Sequence, residues 1–129
     1  MSFSKIQIIA ETEKKHVNNV TYLDYLETAR KDFYAYLISI GVEGMIGHIS
    51  ADYKREVHNN DVLTVDTNIE KVGNTSITLN QTIFTDKNEL VVSAKVVLVT
   101  VNRQTRQKVR VPQEVRELTN KDTQLAEVL

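Results

Sequence analysis

The chain has 129 residues, 41% of them hydrophobic and 26% charged, with a formal net charge of −1. That is one domain of ordinary size, without the run of about 18 apolar residues that a membrane helix needs, without an apolar leader behind Met1, and without the basic excess of a nucleic-acid binder. It has no cysteine, which removes disulfides, thiolate nucleophiles and cysteine-ligated metals together and points to a cytoplasmic location.

Phe3 to Ala10 carries alternating Ile6 and Ile8, with Ile9 out of step, and predicts a short strand. Glu11 to Asn19 is polar, and Asn18 and Asn19 are good N-cap residues. Behind them lies the clearest helix of the chain. Tyr22, Leu26, Ala29, Phe33, Tyr36 and Ile40 recur every three or four residues, and Leu23 and Leu37 widen the stripe. Gly41 is a natural stop, because glycine takes the left-handed conformation that closes a helix. After Gly47 the period becomes strand-like. His48 to Val57 predicts one strand, and Asp61 to Val72 another, with Leu63, Val65, Thr67 and Ile69 alternating. Gly73-Asn74 is a tight connection. Thr75 to Thr85 alternates Ile77, Leu79, Gln81 and Ile83, and Asp86-Lys87-Asn88 is the next turn. Leu90 to Val101 is a Val-rich run, which predicts a strand buried on both faces, or on one face with the other covered by a partner subunit. Lys108 to Val111 reads as a short strand end, and Val115 to Leu129 is compatible with a terminal helix.

One strand, one long helix and four strands joined by short turns make an α+β protein with an antiparallel sheet. The helix is apolar on one side, so the sheet is expected to wrap around it. No repeat and no Gly/Ser-rich linker divides the chain, and Pro112 is its only proline. Residues 1–118 are expected to form a single domain, with 119–129 as a polar tail.

The segment His16-Val17-Asn18-Asn19-Val20-Thr21-Tyr22-Leu23-Asp24-Tyr25-Leu26-Glu27-Thr28-Ala29-Arg30 resembles the signature of hotdog-fold acyl thioesterases. These belong to the 4-hydroxybenzoyl-CoA thioesterase-like superfamily, whose members read H-V-N-N-x-x-Y-L-x-Y-x-E-x-A-R into the central helix. Asp52-Tyr53-Lys54-Arg55-Glu56-Val57, followed by Asn60-Asp61 and Leu63, resembles the second block of that family. So do Lys71-Val72-Gly73-Asn74-Thr75-Ser76 and the Val-rich strand through Val101. The resemblance implies a hotdog fold, a thioester hydrolase, and a substrate that is an acyl thioester of coenzyme A or of acyl-carrier protein. It also implies a homodimer joined edge to edge, often paired into a tetramer, with sites at the subunit interface. It implies no cofactor beyond the coenzyme A of the substrate.

Thioester hydrolysis needs a positioned water or carboxylate at the carbonyl carbon and donors for the developing oxyanion. Free N–H groups and positive potential at a helix start supply the donors. Carried over by position, the backbone N–H of Asn19 is the oxyanion donor, with Val20 beside it. The carboxylate that the family places four residues before the histidine is Thr12 here, and the glycine just before the histidine is Lys15. A threonine hydroxyl is no base near neutral pH without a neighbour to take its proton. Three explanations stand open. Glu11 or Glu13 substitutes, although an extended strand would turn both away from Thr12. His16 is itself the general base, its ordinary pKa near 6.5 suiting that task. Or the protein binds acyl thioesters without hydrolysing them.

Asn18 and Asn19 serve equally as caps, and Tyr22 is a core residue or part of the substrate pocket. Glu27 and Arg30 form an intrahelical pair, or Glu27 reaches a partner's site. Arg103, Arg106, Lys108 and Arg110 form a basic cluster. It is either a solvated strand end or a patch for coenzyme A phosphates. His16, His48 and His58 lack metal-ligand spacing, so no metal is expected. Catalysis is therefore expected from His16, Asn19, Thr12 and Glu13, with substrate held by Asn18, Tyr22, Arg103, Arg106 and Lys108. The rival expectation is an acyl-thioester sensor of the same fold.

Overall fold

The computed structural model describes residues 4–13 and 17–119. The elements run β1 (Ser4–Ile9), α1 (Asn19–Ser39), β2 (Glu43–Tyr53), β3 (Val62–Val72), β4 (Ser76–Thr85), β5 (Leu90–Val101) and α2 (Gln113–Leu118). The strands form one antiparallel sheet in the order β1-β3-β4-β5-β2. It packs against the long helix, the hotdog arrangement expected from the sequence.

The helix is built as its sequence dictates. Asn18 is its N-cap, and Gly41 stands just past its end at φ 97°, a conformation that costs a glycine little. Tyr22, Tyr25, Leu26, Ala29, Phe33, Tyr36 and Leu37 are buried against the sheet. They divide the core into two apolar clusters. One gathers Tyr22, Leu26, Ala29, Leu63, Val65, Ile83 and Val92 around the helix start. The other gathers Phe33, Leu37, Ile77, Leu79, Val96 and Leu98 toward the helix end and takes in Val115 and Leu118 of α2.

Four expectations change in detail. β2 begins at Glu43 rather than His48 and ends at Tyr53 rather than Val57. Gly44 and Gly47 precede the expected start, yet both lie inside the strand. A Cβ on Gly44 would come within 2.9 Å of Leu37 Cδ1, so glycine there permits close helix–strand approach. Gly47 sits in a register shift between Ile46 and His48. β5 is an interior strand, buried on the helix side but half-exposed at Ser93, Val97 and Val99, so within one chain it is covered on one face only. Lys108 forms only an isolated bridge to Val101 instead of a strand end. The terminal helix is six residues, and the expected continuation past Thr119 falls outside the described residues.

Candidate functional site at the start of the long helix

Three segments meet at the N-terminus of α1. The first is the chain leaving β1. It stays tied to the far loop, since the Ala10 N–H donates to the Asp61 carbonyl (2.9 Å) and Asn60 N–H donates to the Ala10 carbonyl (2.7 Å). The second is the helix start, where the Val17 N–H donates to the Val57 carbonyl at 3.0 Å. The third is the 54–61 loop, which accepts from Ala10 and Val17 and donates to Ala10.

At the helix start the Asn18 side chain accepts from the Thr21 N–H and from the Thr21 hydroxyl, both at 3.0 Å. The Tyr22 N–H returns to the Asn18 carbonyl at 3.2 Å. The amides of Asn19 and Val20 have no acceptor among the described residues, and both residues are exposed. A helix of 21 residues concentrates its positive end on those N–H groups. Asn18 and Asn19 therefore stand where the sequence places them, one as cap and the other as a free donor.

Thr12 is half-exposed, and its N–H donates to Asn59 Oδ1 at 3.0 Å. β1 has ended at Ile9, so strand alternation no longer governs this stretch. Glu11, Thr12 and Glu13 line one cleft of ≈ 540 Å³ with Asn59 and Asn60. The objection that Glu11 and Glu13 must face away from Thr12 falls with the strand. Asn60 takes φ 72°, which asparagine tolerates better than most residues. His16, with Lys14 and Lys15, lies outside the described residues.

A second cleft of ≈ 310 Å³ lies on the other side, lined by Val17, Tyr22, Tyr53, Lys54, Arg55 and Glu56. The Tyr22 and Tyr53 rings meet at 5.6 Å, tilted by 37°. The Tyr22 hydroxyl is buried. Burial pushes its pKa up, the Val57 backbone opposes the shift, and the charges of Glu56 and Asp61 add to it.

The basic cluster is elsewhere. Arg106 Nη1 lies 2.7 Å and Arg103 Nε 3.9 Å from Glu43 Oε2, at the foot of β2. With Gly41, Asn102 and Gln104, Arg103 and Glu43 line a separate cleft of ≈ 420 Å³. Lys108 is exposed on the same loop. This is the C-terminal end of α1, about 30 Å along the helix from Asn19 at 1.5 Å per residue. Within one chain, Arg103, Arg106 and Lys108 do not join the site at the helix start. The Glu27–Arg30 pair is not formed either. Glu27 is exposed, whereas Arg30 is buried and donates to Tyr34 Oη (2.8 Å) and Gln81 Oε1 (2.9 Å).

Sequence reasoning missed Asn59, Asn60, Tyr53 and Glu56. The Asn59-Asn60-Asp61 run is an ordinary turn signal, and nothing local shows that it holds Thr12.

Residues 13–118 match the model of the thioesterase-like superfamily. The chain belongs to that family. The long-chain acyl-CoA thioesterase FadM of Escherichia coli is 26% identical over 110 residues, covering 80% of this chain and 83% of that one. A probable thioesterase of Escherichia coli superposes with a TM-score of 0.78 at 24% identity, over 88% of this chain and 94% of that one. A Staphylococcus aureus protein solved in complex with CoA gives 0.81 at 15% identity, over 96% and 86%. Thioester hydrolysis is the chemistry that this membership carries. No helix among the described residues is long and apolar enough to cross a membrane.

Proposed function

We propose that this thioesterase-family member hydrolyses acyl-CoA thioesters at the start of α1. The observation that carries the reading is the pair of exposed amides of Asn19 and Val20, without acceptors among the described residues, at the positive end of a long helix. A thioester carbonyl set against them gains two donors for the charge that develops on its oxygen. His16, Glu11 and Glu13 remain the groups that the sequence offers for proton transfer to and from the attacking water. Tyr22 and Asn18 flank the bound thioester. An acyl-carrier-protein thioester presents the same carbonyl and is the alternative carrier.

The working unit in this reading is a homodimer, alone or within a tetramer. β2 is an edge strand of 11 residues, and it leaves Met45, Ile46 and Tyr53 exposed. Such an edge invites pairing with a second copy. Two-fold antiparallel pairing of β2 with itself sets the Glu43 end of one copy against the Tyr53 end of the other. Arg103 and Arg106 of the partner subunit then approach the cleft at Tyr53–Glu56, where they serve the phosphates of coenzyme A. That gives the basic cluster a role that its place within one chain denies it.

A second reading, an acyl-thioester binding protein without turnover, is favoured by one observation, the threonine at position 12 in place of the family's carboxylate. Steady-state thiol release over a panel of short, long and aromatic acyl-CoAs separates the two. Release on one class, lost in His16→Ala, establishes a hydrolase with His16 in proton transfer. Binding without release establishes the binding protein.

A further inference from the structure

The segment that leaves β1 carries Glu11, Thr12 and Glu13, and one short loop grips it. The Ala10 N–H donates to the Asp61 carbonyl at 2.9 Å, and the Asn60 N–H donates to the Ala10 carbonyl at 2.7 Å. Beyond Ala10 a side chain takes over from the backbone. The Thr12 N–H donates to Asn59 Oδ1 at 3.0 Å, across 47 positions of sequence. Val57, just before this loop turns, is buried in the apolar cluster around the helix start, and its carbonyl accepts the Val17 N–H at 3.0 Å. Residues 57–61 thus hold both the exit from β1 and the entry into α1.

The loop is itself braced. The His58 N–H donates to Asp61 Oδ2 at 2.9 Å, the Asp61 N–H returns to the His58 carbonyl at 3.1 Å, and Asn60 takes φ 72° between them. A loop anchored at Val57 and closed on itself presents the Asn59 side chain as a fixed acceptor. Asn59 is exposed, and water could satisfy the Thr12 N–H in its place, so the bond adds little stability. What it adds is direction. It orients the rigid peptide plane between Glu11 and Thr12, and both residues, with Glu13, line the ≈ 540 Å³ cleft to which Asn59 and Asn60 also contribute.

We propose that Asn59 is a positioning residue for thioester hydrolysis, its side-chain oxygen holding the Glu11–Glu13 segment in its working place beside the entry into α1. The proposal rests on the hydrolase reading above, in which that segment carries two of the carboxylates offered for proton transfer, and it names what fixes them. Asn59 touches none of the reacting atoms and acts through the Thr12 backbone. Pairing of β1 with β3 ends at Ile9 and Val62, so the sheet does not set the direction of Thr12 and its neighbours. Misplacing a catalytic group by about 1 Å costs up to about 10²-fold in rate. One exposed asparagine therefore matters far more to turnover than to the fold.

The test is kinetic, on the full chain, with the acyl-CoA that the wild-type protein turns over fastest. Asn59→Ala is expected to lower kcat by roughly 10–100-fold, with KM within about threefold and the melting temperature near wild type. Asn59→Asp keeps an oxygen for the Thr12 N–H and is expected to recover most of the lost kcat. A merely structural asparagine would lower the melting temperature and leave kcat alone. Wild-type kcat in Asn59→Ala, or a loss that Asn59→Asp leaves unrepaired, would overturn the proposal. The hydrolase reading would stand in either case, because the wild-type protein still releases thiol. No thiol release by the wild-type protein on any acyl-CoA would overturn both.

Discussion

The Arg30 guanidinium on α1 donates to Gln81 Oε1 on β4 at 2.9 Å, in the middle of the core. The Gln81 amide nitrogen donates in turn to the Leu26 carbonyl (3.0 Å) and to the Thr67 hydroxyl (2.9 Å). The Arg30 Nε bond to Tyr34, whose ring centroid lies 5.8 Å from the guanidinium carbon, completes the set. This polar belt lies between the two apolar clusters and fixes α1 on the central strands. The helix start, where the free amides stand, is held at the distance this belt sets.

Gln81→Leu removes the acceptor of a buried cation and leaves the Thr67 hydroxyl without its partner. Leaving a buried hydrogen-bonding group without its partner costs about 1–3 kcal/mol, and more when the group is charged. Urea unfolding of Gln81→Leu is expected to show a loss of that order. The double variant Arg30→Met with Gln81→Leu is expected to recover part of it, because no unpaired charge then remains. A loss below about 1 kcal/mol in the single variant would mean that the belt carries little of the fold.

Asn18→Ala removes the bonds to Thr21 and frees a third amide at the helix start. Loss of such a cap costs about 1 kcal/mol, read as a shift of the denaturation midpoint. Turnover is expected to fall as well, because the first turn that presents Asn19 and Val20 loosens. Asn18→Asp keeps an acceptor in place and is expected to stay near wild type in both measurements.

Thr12→Asp is expected to raise thiol release on acyl-CoA. It adds a carboxylate on a backbone already held by Asn59 at 3.0 Å, on the cleft beside the helix start. Equal turnover in the variant and the wild type would show that the segment no longer faces the reacting carbon.

Arg106→Glu is expected to raise KM for acyl-CoA about tenfold, since it reverses a charge offered to phosphate. The same variant should change KM little for acyl-pantetheine, which lacks the nucleotide phosphates. An equal effect on both substrates would assign Arg106 to its ion pair with Glu43 and not to coenzyme A.

Alkaline pH is expected to destabilise the fold. Burial raises the pKa of Tyr22 and of Tyr36 above the ordinary 10.0. Each phenol therefore loses its proton in the unfolded chain before it does in the folded one. Its contribution is fully present below about pH 10 and fades as pH rises toward the raised folded value. Melting temperatures between pH 8 and 11 should fall more steeply in wild type than in Tyr22→Phe.

Much of this was written in the chain. The 3.6-residue stripe from Tyr22 to Leu37, the Asn18 cap and the Gly41 stop set the helix, because each acts within a few residues of itself. Alternation of apolar residues set β3, β4 and most of β5 for the same reason, and the H-V-N-N helix start pointed to the site. The tertiary structure decided the rest. Gly44 lies ahead of the strand that the sequence predicts, yet it is the residue that lets β2 approach Leu37. Arg30 suggests a partner for Glu27, but Gln81, 51 residues away, claims it. The basic cluster and the helix start share no site within one chain, because a straight helix of 21 residues holds them apart. Glu56 and Tyr22, 34 positions apart in the chain, line one cleft where the Val57 carbonyl accepts the Val17 N–H. Contacts between residues far apart in sequence depend on how the elements pack, and no local pattern of residues records that packing.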